Sequence, residues 1–239
     1  MSVDLLAIAA HRDDVELTCA GTLIKAAKQG YKTAVIDLTA GEMGTKGDAK
    51  SRAHEAEQAA KVMKLAAREN LGLPDAAIVN DPATRTAVAR LIRKFKPKVV
   101  IAPARQGRHP DHRVTSELVR DACFVAGLAK VAPDVPKHRP KKVIHCVSFR
   151  QDFEKPTFVV DISEEFELKL EAIRCFETQF GSGATQAGEV YPNGEPLYDA
   201  IRHYSAYYGA MIRTRYGEPF FTTETLRVDD VVALEVSTF

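Results

Sequence analysis

The sequence predicts a Rossmann-like three-layer α/β fold, a single domain with a mainly parallel central sheet and a short C-terminal elaboration. Three observations carry that expectation. Short apolar runs alternate with segments of helical spacing along most of the chain. The second apolar run follows the first helix too closely for anything but a βαβ crossover. No repeat, charge block or long linker divides the 239 residues.

Asp4 to Ala10 (DLLAIAA) is an apolar run ended by a polar cluster and reads as the first strand. Val15 to Gln29 carries Leu17, Leu23, Ile24 and Ala27 at helical spacing and stops before Gly30. Lys32 to Leu38 is a β-branched second strand, and the glycine-containing stretch Thr39 to Asp48 is a loop at its carboxyl end. Ser51 to Leu65 is Ala-rich and helical, Asn70 to Asp75 suits a short strand or turn, Pro82 to Phe95 a helix, and Val99 to Ala102 a buried strand. Beyond the polar stretch Arg105 to His112, Val114 to Ala129 reads as a helix. A connection holding Pro133, Pro136 and Pro140 leads to strands at Lys142 to Ser148 and Thr157 to Ile162. Ser163, followed by Glu164 and Glu165, resembles an N-cap with acidic first-turn residues for a helix reaching about Phe180. Gly181 to Gly194 reads as a loop, and Pro196 to Arg215 as a last, aromatic-rich helix.

Composition excludes several classes of function. The chain is 45% hydrophobic with 14 Gly and 12 Pro, so disordered and collagen-like readings fall away. A balance of 33 Lys+Arg against 32 Asp+Glu gives no broad field for nucleic acid or an anionic membrane. Apolar runs such as Leu5 to Ala10 are far shorter than the ~20 residues that span a bilayer. Asp4 stands where a secretory signal would carry basic residues. Cys19, Cys123, Cys146 and Cys175 are widely spaced with no C-x-x-C pair, which disfavours a disulfide framework and a thiolate zinc site. The expected setting is the cytoplasm.

Two polar clusters follow predicted strands, at the carboxyl ends where open α/β sheets bind their ligands. His11, Arg12, Asp13 and Asp14 follow the first strand, and Arg108, His109, Pro110, Asp111 and His112 follow Val99 to Ala102. Imidazole and carboxylate suit zinc, whose catalytic sites take three protein ligands and keep one position open. His11 and Asp14 with one later histidine make such a set. Adjacent Asp13 cannot easily reach the same ion from a tight turn, which frees a carboxylate as a base. The competing reading makes Asp13 or Asp14 a helix N-cap and His109-Pro110 a helix entrance.

The pattern H-R-D-D-V-E-L at His11 to Leu17, with H-P-D-H at His109 to His112, resembles the LmbE/PIG-L superfamily of zinc-dependent deacetylases of N-acetylglucosaminyl compounds. The segments LAIAAHRDDVELTCAGTLIKAAKQGYKTAVIDLTAGEMGTKG, ENLGLPD, RHPDHRVTSELVRDACFVAGL, HRPKKVI, FVVDIS and YGEPF resemble its bacillithiol-pathway branch, deacetylases of N-acetylglucosaminyl malate. The resemblance implies Zn2+ held by His11, Asp14 and His112. It implies Asp13 as general base and a protonated His109 near the developing oxyanion. Arg52, with Glu55 one turn later, would sit in the substrate pocket facing the malyl carboxylates, the competing reading being a surface ion pair, and Asp75 would accept hydrogen bonds from sugar hydroxyls, the competing reading being a turn former. The expected partner is a small-molecule amino-sugar conjugate, with no nucleic acid and no membrane, handled by a homo-oligomer. Alternatives are another N-acetylglucosamine conjugate, a chito-oligosaccharide, or a non-catalytic sugar-conjugate-binding relative. A nucleotide binder is disfavoured because no G-x-G-x-x-G follows the first strand.

Arg12 stands where the family has proline, giving up a rigid φ and adding a charge beside two carboxylates; an outward pose is expected. Glu16 reads as a first-turn helix acid or as support for the metal loop. Tyr191 and Tyr198 read mainly as packing residues, His145 as a satisfied core group, His54, His138 and His203 as surface groups, and the cysteines as small hydrophobes.

Overall fold

Alternation along Leu5–Ala9 (β1) sends Leu6 and Ile8 to one face of a sheet and Ala7 and Ala9 to the other. The computed structural model describes residues 1–149, 155–181 and 197–236. Among them β1 is joined by Thr33–Thr39 (β2), Ala67–Leu73 (β3), Val99–Ala102 (β4), Lys142–Cys146 (β5), Phe158–Asp161 (β6) and Gly217–Phe221 (β7). Their order across the sheet is β3-β2-β1-β4-β5-β7-β6. The first five run parallel, and β7 is antiparallel to both of its neighbours. Both faces are covered, as a parallel sheet requires. Pro82–Phe95 (α4) and Pro110–Val125 (α5) pack on Leu6, Ile8 and Ile36. On the other face, Asp14–Thr18 (α1), Ala20–Lys28 (α2), Ala49–Val62 (α3) and Phe166–Arg174 (α6) cover Ala7, Ala9, Val35 and Ile101. Glu177–Phe180 (α7) follows α6, and Leu197–Met211 (α8) closes a third cluster with Phe166, Leu170 and Tyr216. No helix among the described residues is long and apolar enough to cross a membrane.

Several elements depart from the sequence reading. The helix expected over Val15 to Gln29 breaks at Cys19, whose φ of −144° and ψ of 16° leave the helical region. A buried ion pair makes the break stable. Glu218 of β7 accepts the N–H groups of Gly21 and Thr22 at 2.9 and 2.7 Å, while Lys169 of α6 donates to the carbonyl of Leu17 at 3.0 Å and to Glu218 at 2.7 Å. The unpaired groups at both new helix ends thus find side-chain partners. The helix expected from Ser163 to Phe180 begins instead at Phe166 and divides at Phe176. Ser163 is occupied elsewhere, its hydroxyl donating to Asp161 at 2.6 Å and accepting the Tyr216 N–H at 3.1 Å.

The third strand begins at Ala67, three residues ahead of its expected start, and places charged Arg68 and Glu69 within the sheet. The last helix ends at Met211 rather than Arg215, and the chain returns as β7, which was not anticipated. Asp48 and Asp81 close capping boxes with Ser51 and Thr84, so α4 starts at its expected Pro82 and α3 at Ala49, two residues ahead of its expected start.

Candidate metal centre

β1 and β4 are neighbours, and the chain leaves their carboxyl ends toward opposite edges of the sheet. The crevice at such a reversal receives both polar clusters. The first is a tight turn closed by the His11 N–H donating to Asp14 Oδ2 at 2.9 Å. Asp13 stands at the N-cap position of α1, yet its side chain makes no capping bond. In the second, His109 is the N-cap of α5, its Nδ1 accepting the Asp111 N–H at 3.2 Å, with Pro110 in the first turn. Helix entrance and site residue are therefore one and the same at His109.

Three ligand side chains converge. His11 Nδ1 lies 3.2 Å from His112 Nε2 and 3.3 Å from Asp14 Oδ2, and His112 Nε2 lies 3.1 Å from Asp14 Oδ1. Ligands about 2.0–2.1 Å from one tetrahedral ion stand roughly 3.3 Å apart, so this donor set fits a metal ion. A second grouping of His11, His109 and Asp111 also lies within ligand distance. There, however, Asp111 Oδ2 already accepts the Ala76 N–H at 2.8 Å, whereas Asp14 keeps Oδ1 for the His112 side. The far nitrogen of His11, Nε2, faces Asp75 at 3.2 Å and Asp111 at 3.5 Å. Carboxylates behind a ligating imidazole fix its tautomer and raise its basicity.

The electrostatics separate the two adjacent aspartates. Burial opposes ionisation of Asp14, but His112 and His11 hold it well below the usual carboxylate range. Asp13 is raised, by burial first and by the Asp14 charge second, with Arg52 opposing at 3.2 Å. Burial alone would lower the His11 pKa; Asp14, Asp13 and Asp75 outweigh it and bring the metal-free ring to about 9. His109 is lowered by burial and by its two histidine neighbours. Its Nδ1 accepts the Asp111 N–H, which leaves Nε2 as the nitrogen that can donate.

Arg52 is buried in α3 and divides its guanidinium between Asp13 and the carbonyl of Gly41 at 2.9 Å. Gly41 has a φ of +72°, which favours glycine, and a Cβ there would lie 2.0 Å from the guanidinium and displace it. Asp75 accepts the Met43 N–H at 2.9 Å as well as facing His11. Arg12 points away from both aspartates and donates to the carbonyl of Ala49 at 2.6 Å. His11, Asp13, Asp14, His109 and His112 share a cavity of ≈ 290 Å³, whose wall includes Phe149 and Phe180 and whose lining includes the cations Lys46 and Arg108.

Other residues named from the sequence lie apart. Tyr198 is half-buried beside Arg174, and Tyr191 falls outside the described residues. His145 is buried against Ser116 and Pro103. Cys19, Cys123, Cys146 and Cys175 are free thiols. Sequence reasoning passed over Asp111, although it lies inside the H-P-D-H motif. It also left Glu16 open and missed Arg68, which pairs with that buried carboxylate at 2.6 Å.

Comparison with known proteins adds a family. The description "PIG-L: GlcNAc-PI de-N-acetylase" matches residues 6–123, which contain every residue of the cluster. The diacetylchitobiose deacetylase of Thermococcus kodakarensis is 30% identical over 226 residues, covering 90% of this chain and 80% of its own length. The probable N-acetyl-alpha-D-glucosaminyl L-malate deacetylase 2 of Bacillus subtilis is 26% identical, over 82% of this chain and 92% of its own. Among solved structures, the conserved protein TT1542 from Thermus thermophilus superposes with a TM-score of 0.84 at 34% identity, covering 95% of this chain and 98% of that one.

Proposed function

The chain belongs to the PIG-L/LmbE family of deacetylases, and on that premise we propose that it is a zinc enzyme removing the N-acetyl group of N-acetylglucosaminyl malate. The observation that carries the reaction class is the convergence of His11, Asp14 and His112 beside Asp13, whose carboxylate neither caps the helix nor joins the ligand set. His11, Asp14 and His112 would hold the zinc ion, which would supply a Lewis acid for the amide carbonyl and lower the pKa of water toward neutral. Asp13, raised in pKa, takes the proton of the attacking water and returns it to the departing amine. Arg52 limits that rise and aims the carboxylate. His109 donates from Nε2 toward the oxygen on which negative charge develops. Acetate and a free amino sugar leave.

Lys46 and Arg108 in the cavity lining support an anionic aglycone, because malyl carboxylates need cations. The identity with the Thermococcus enzyme favours a second reading, a short chito-oligosaccharide as substrate. Amine release from N-acetylglucosaminyl malate, N-acetylglucosamine and diacetylchitobiose separates the two. The first reading expects the highest kcat/KM on the malate conjugate; a preference for diacetylchitobiose overturns it in favour of the second.

A further inference from the structure

Behind the metal turn lies a buried charge network that the chemistry above does not use. Arg68 rises from β3 and reaches over β2 with a side chain only 7% exposed. Its Nε and Nη2 donate to both oxygens of Asp37 at 2.8 and 3.0 Å, and Nη1 donates to Glu16 at 2.6 Å. Both carboxylates are buried. Nη2 also donates to the backbone carbonyl of Arg12, and Nη1 reaches the carbonyl of Ala56 at 3.4 Å. Phe176 closes the far side, its ring centre 5.8 Å from the guanidinium carbon.

The Arg12 carbonyl is the link to the site. It belongs to the peptide joining Arg12 to Asp13, midway between the metal-facing side chains of His11 and Asp14. The turn is tied at its start, where Thr39 donates to Ala10, and across its mouth, where His11 donates to Asp14. Its middle is gripped from outside by Arg68. The Arg12 side chain gives no such restraint, because it leaves toward Ala49. Arg68 also touches α3 through Ala56, one turn beyond Arg52, the partner of Asp13. The five N–H donors of a planar guanidinium serve both oxygens of Asp37, Glu16 and two carbonyls at once; the three donors of an ammonium cannot serve all five acceptors.

We propose that Arg68 is a positioning residue of the metal centre, holding the Arg12–Asp13 peptide so that Asp14 presents to the metal and Asp13 stays beside it. The inference rests on the reading of His11, Asp14 and His112 as metal ligands, and its consequences concern metal binding as such, apart from turnover. Groups that orient ligands from behind typically change metal affinity by about 10- to 100-fold when altered.

Arg93 supplies the control. It is fully buried and donates its bonds to backbone carbonyls, those of Ala126, Leu128, Ala132 and Val135, on the opposite face of the sheet. Cobalt(II) titration of the metal-free wild type, Arg68→Lys and Arg93→Lys, read by visible absorption and paired with thermal melting, tests the proposal. Both variants are expected to melt earlier. Arg68→Lys alone is expected to bind cobalt about tenfold or more weakly and to shift its visible bands. If that variant does not fold, Asp37→Asn, which loosens the guanidinium while leaving it in place, is expected to show the same weakening and band shift. Cobalt affinity within about twofold of wild type with unchanged bands, or an equal loss in Arg93→Lys, overturns the positioning role. A wild-type chain that binds no cobalt overturns the metal reading itself, and this inference with it.

Discussion

Metal-free protein is expected to lose stability as the pH rises from 6.5 to 8.5, because the unfolded chain then gives up a His11 proton that the fold still holds. In the unfolded chain its imidazole titrates near 6.5. In the fold, burial works against the charge, but Asp14, Asp13 and Asp75 bring the pKa up to about 9. A group with a raised folded pKa contributes stability that is fully present below its unfolded value and is lost as pH climbs through its folded one. For His11 the full contribution is about 3 kcal/mol, of which about 2 kcal/mol disappears between pH 6.5 and 8.5. His112, raised chiefly by Asp14 against burial, adds a loss of the same sign. Glu16, pushed up to about 7 by burial, shares that sign only below its own pKa. The buried thiols enter only where unfolded cysteines ionise, near 8.5 and above. Urea unfolding of chelator-treated protein at several pH values measures the slope, and His11→Asn isolates the imidazole. Zinc is expected to reverse the trend, since ligation requires neutral histidines and deprotonated carboxylate. Metal-free stability that stays level or rises over this interval, or a fall of undiminished size in His11→Asn, would refute the reasoning.

Asp13→Asn is expected to retain metal while kcat falls by roughly 10²- to 10⁴-fold, as loss of a positioned proton carrier does; near-normal turnover would remove Asp13 from that role. Lys169→Met leaves the buried carboxylate of Glu218 without its cation and the Leu17 carbonyl without its donor. Urea unfolding is expected to show a cost of about 3–5 kcal/mol, and a loss below about 1 kcal/mol, the range of an exposed pair, would show that the α1–α2 break does not depend on it.

Much of the frame is legible in sequence because its signals are local. β1, β2 and β4 are short apolar runs bounded by polar residues, and Leu5–Ala9, Thr33–Thr39 and Val99–Ala102 lie where those runs fall. The His11 turn and the His109 helix entrance were legible as clusters, since both follow such runs. The failures share a non-local cause. Cys19 and Ala20 continue the apolar spacing of a helix, and the break there exists because Glu218, almost two hundred residues later, supplies acceptors for a second helix start. Gly217–Phe221 carries a glutamate and a proline and has no alternation to announce a strand; its pairing with β5 and β6 makes it one. Arg68 and Glu69 pushed the expected start of β3 too late, because an arginine is admitted to the sheet only when Asp37 and Glu16 stand ready to neutralise it. Asp13 was separable from Asp14 by the geometry of a tight turn. That its partner is Arg52 rather than a helix N–H emerges only when α3 is laid over the loop.

The central claim, a zinc ion held by His11, Asp14 and His112 and required for deacetylation, is tested most directly by measuring metal content and amine release together in wild type and His112→Ala. The account predicts about one zinc per wild-type chain, loss of activity on chelation with recovery on adding zinc, and parallel loss of metal and activity in the variant. Full amine release by wild-type protein verified to be metal-free would contradict it.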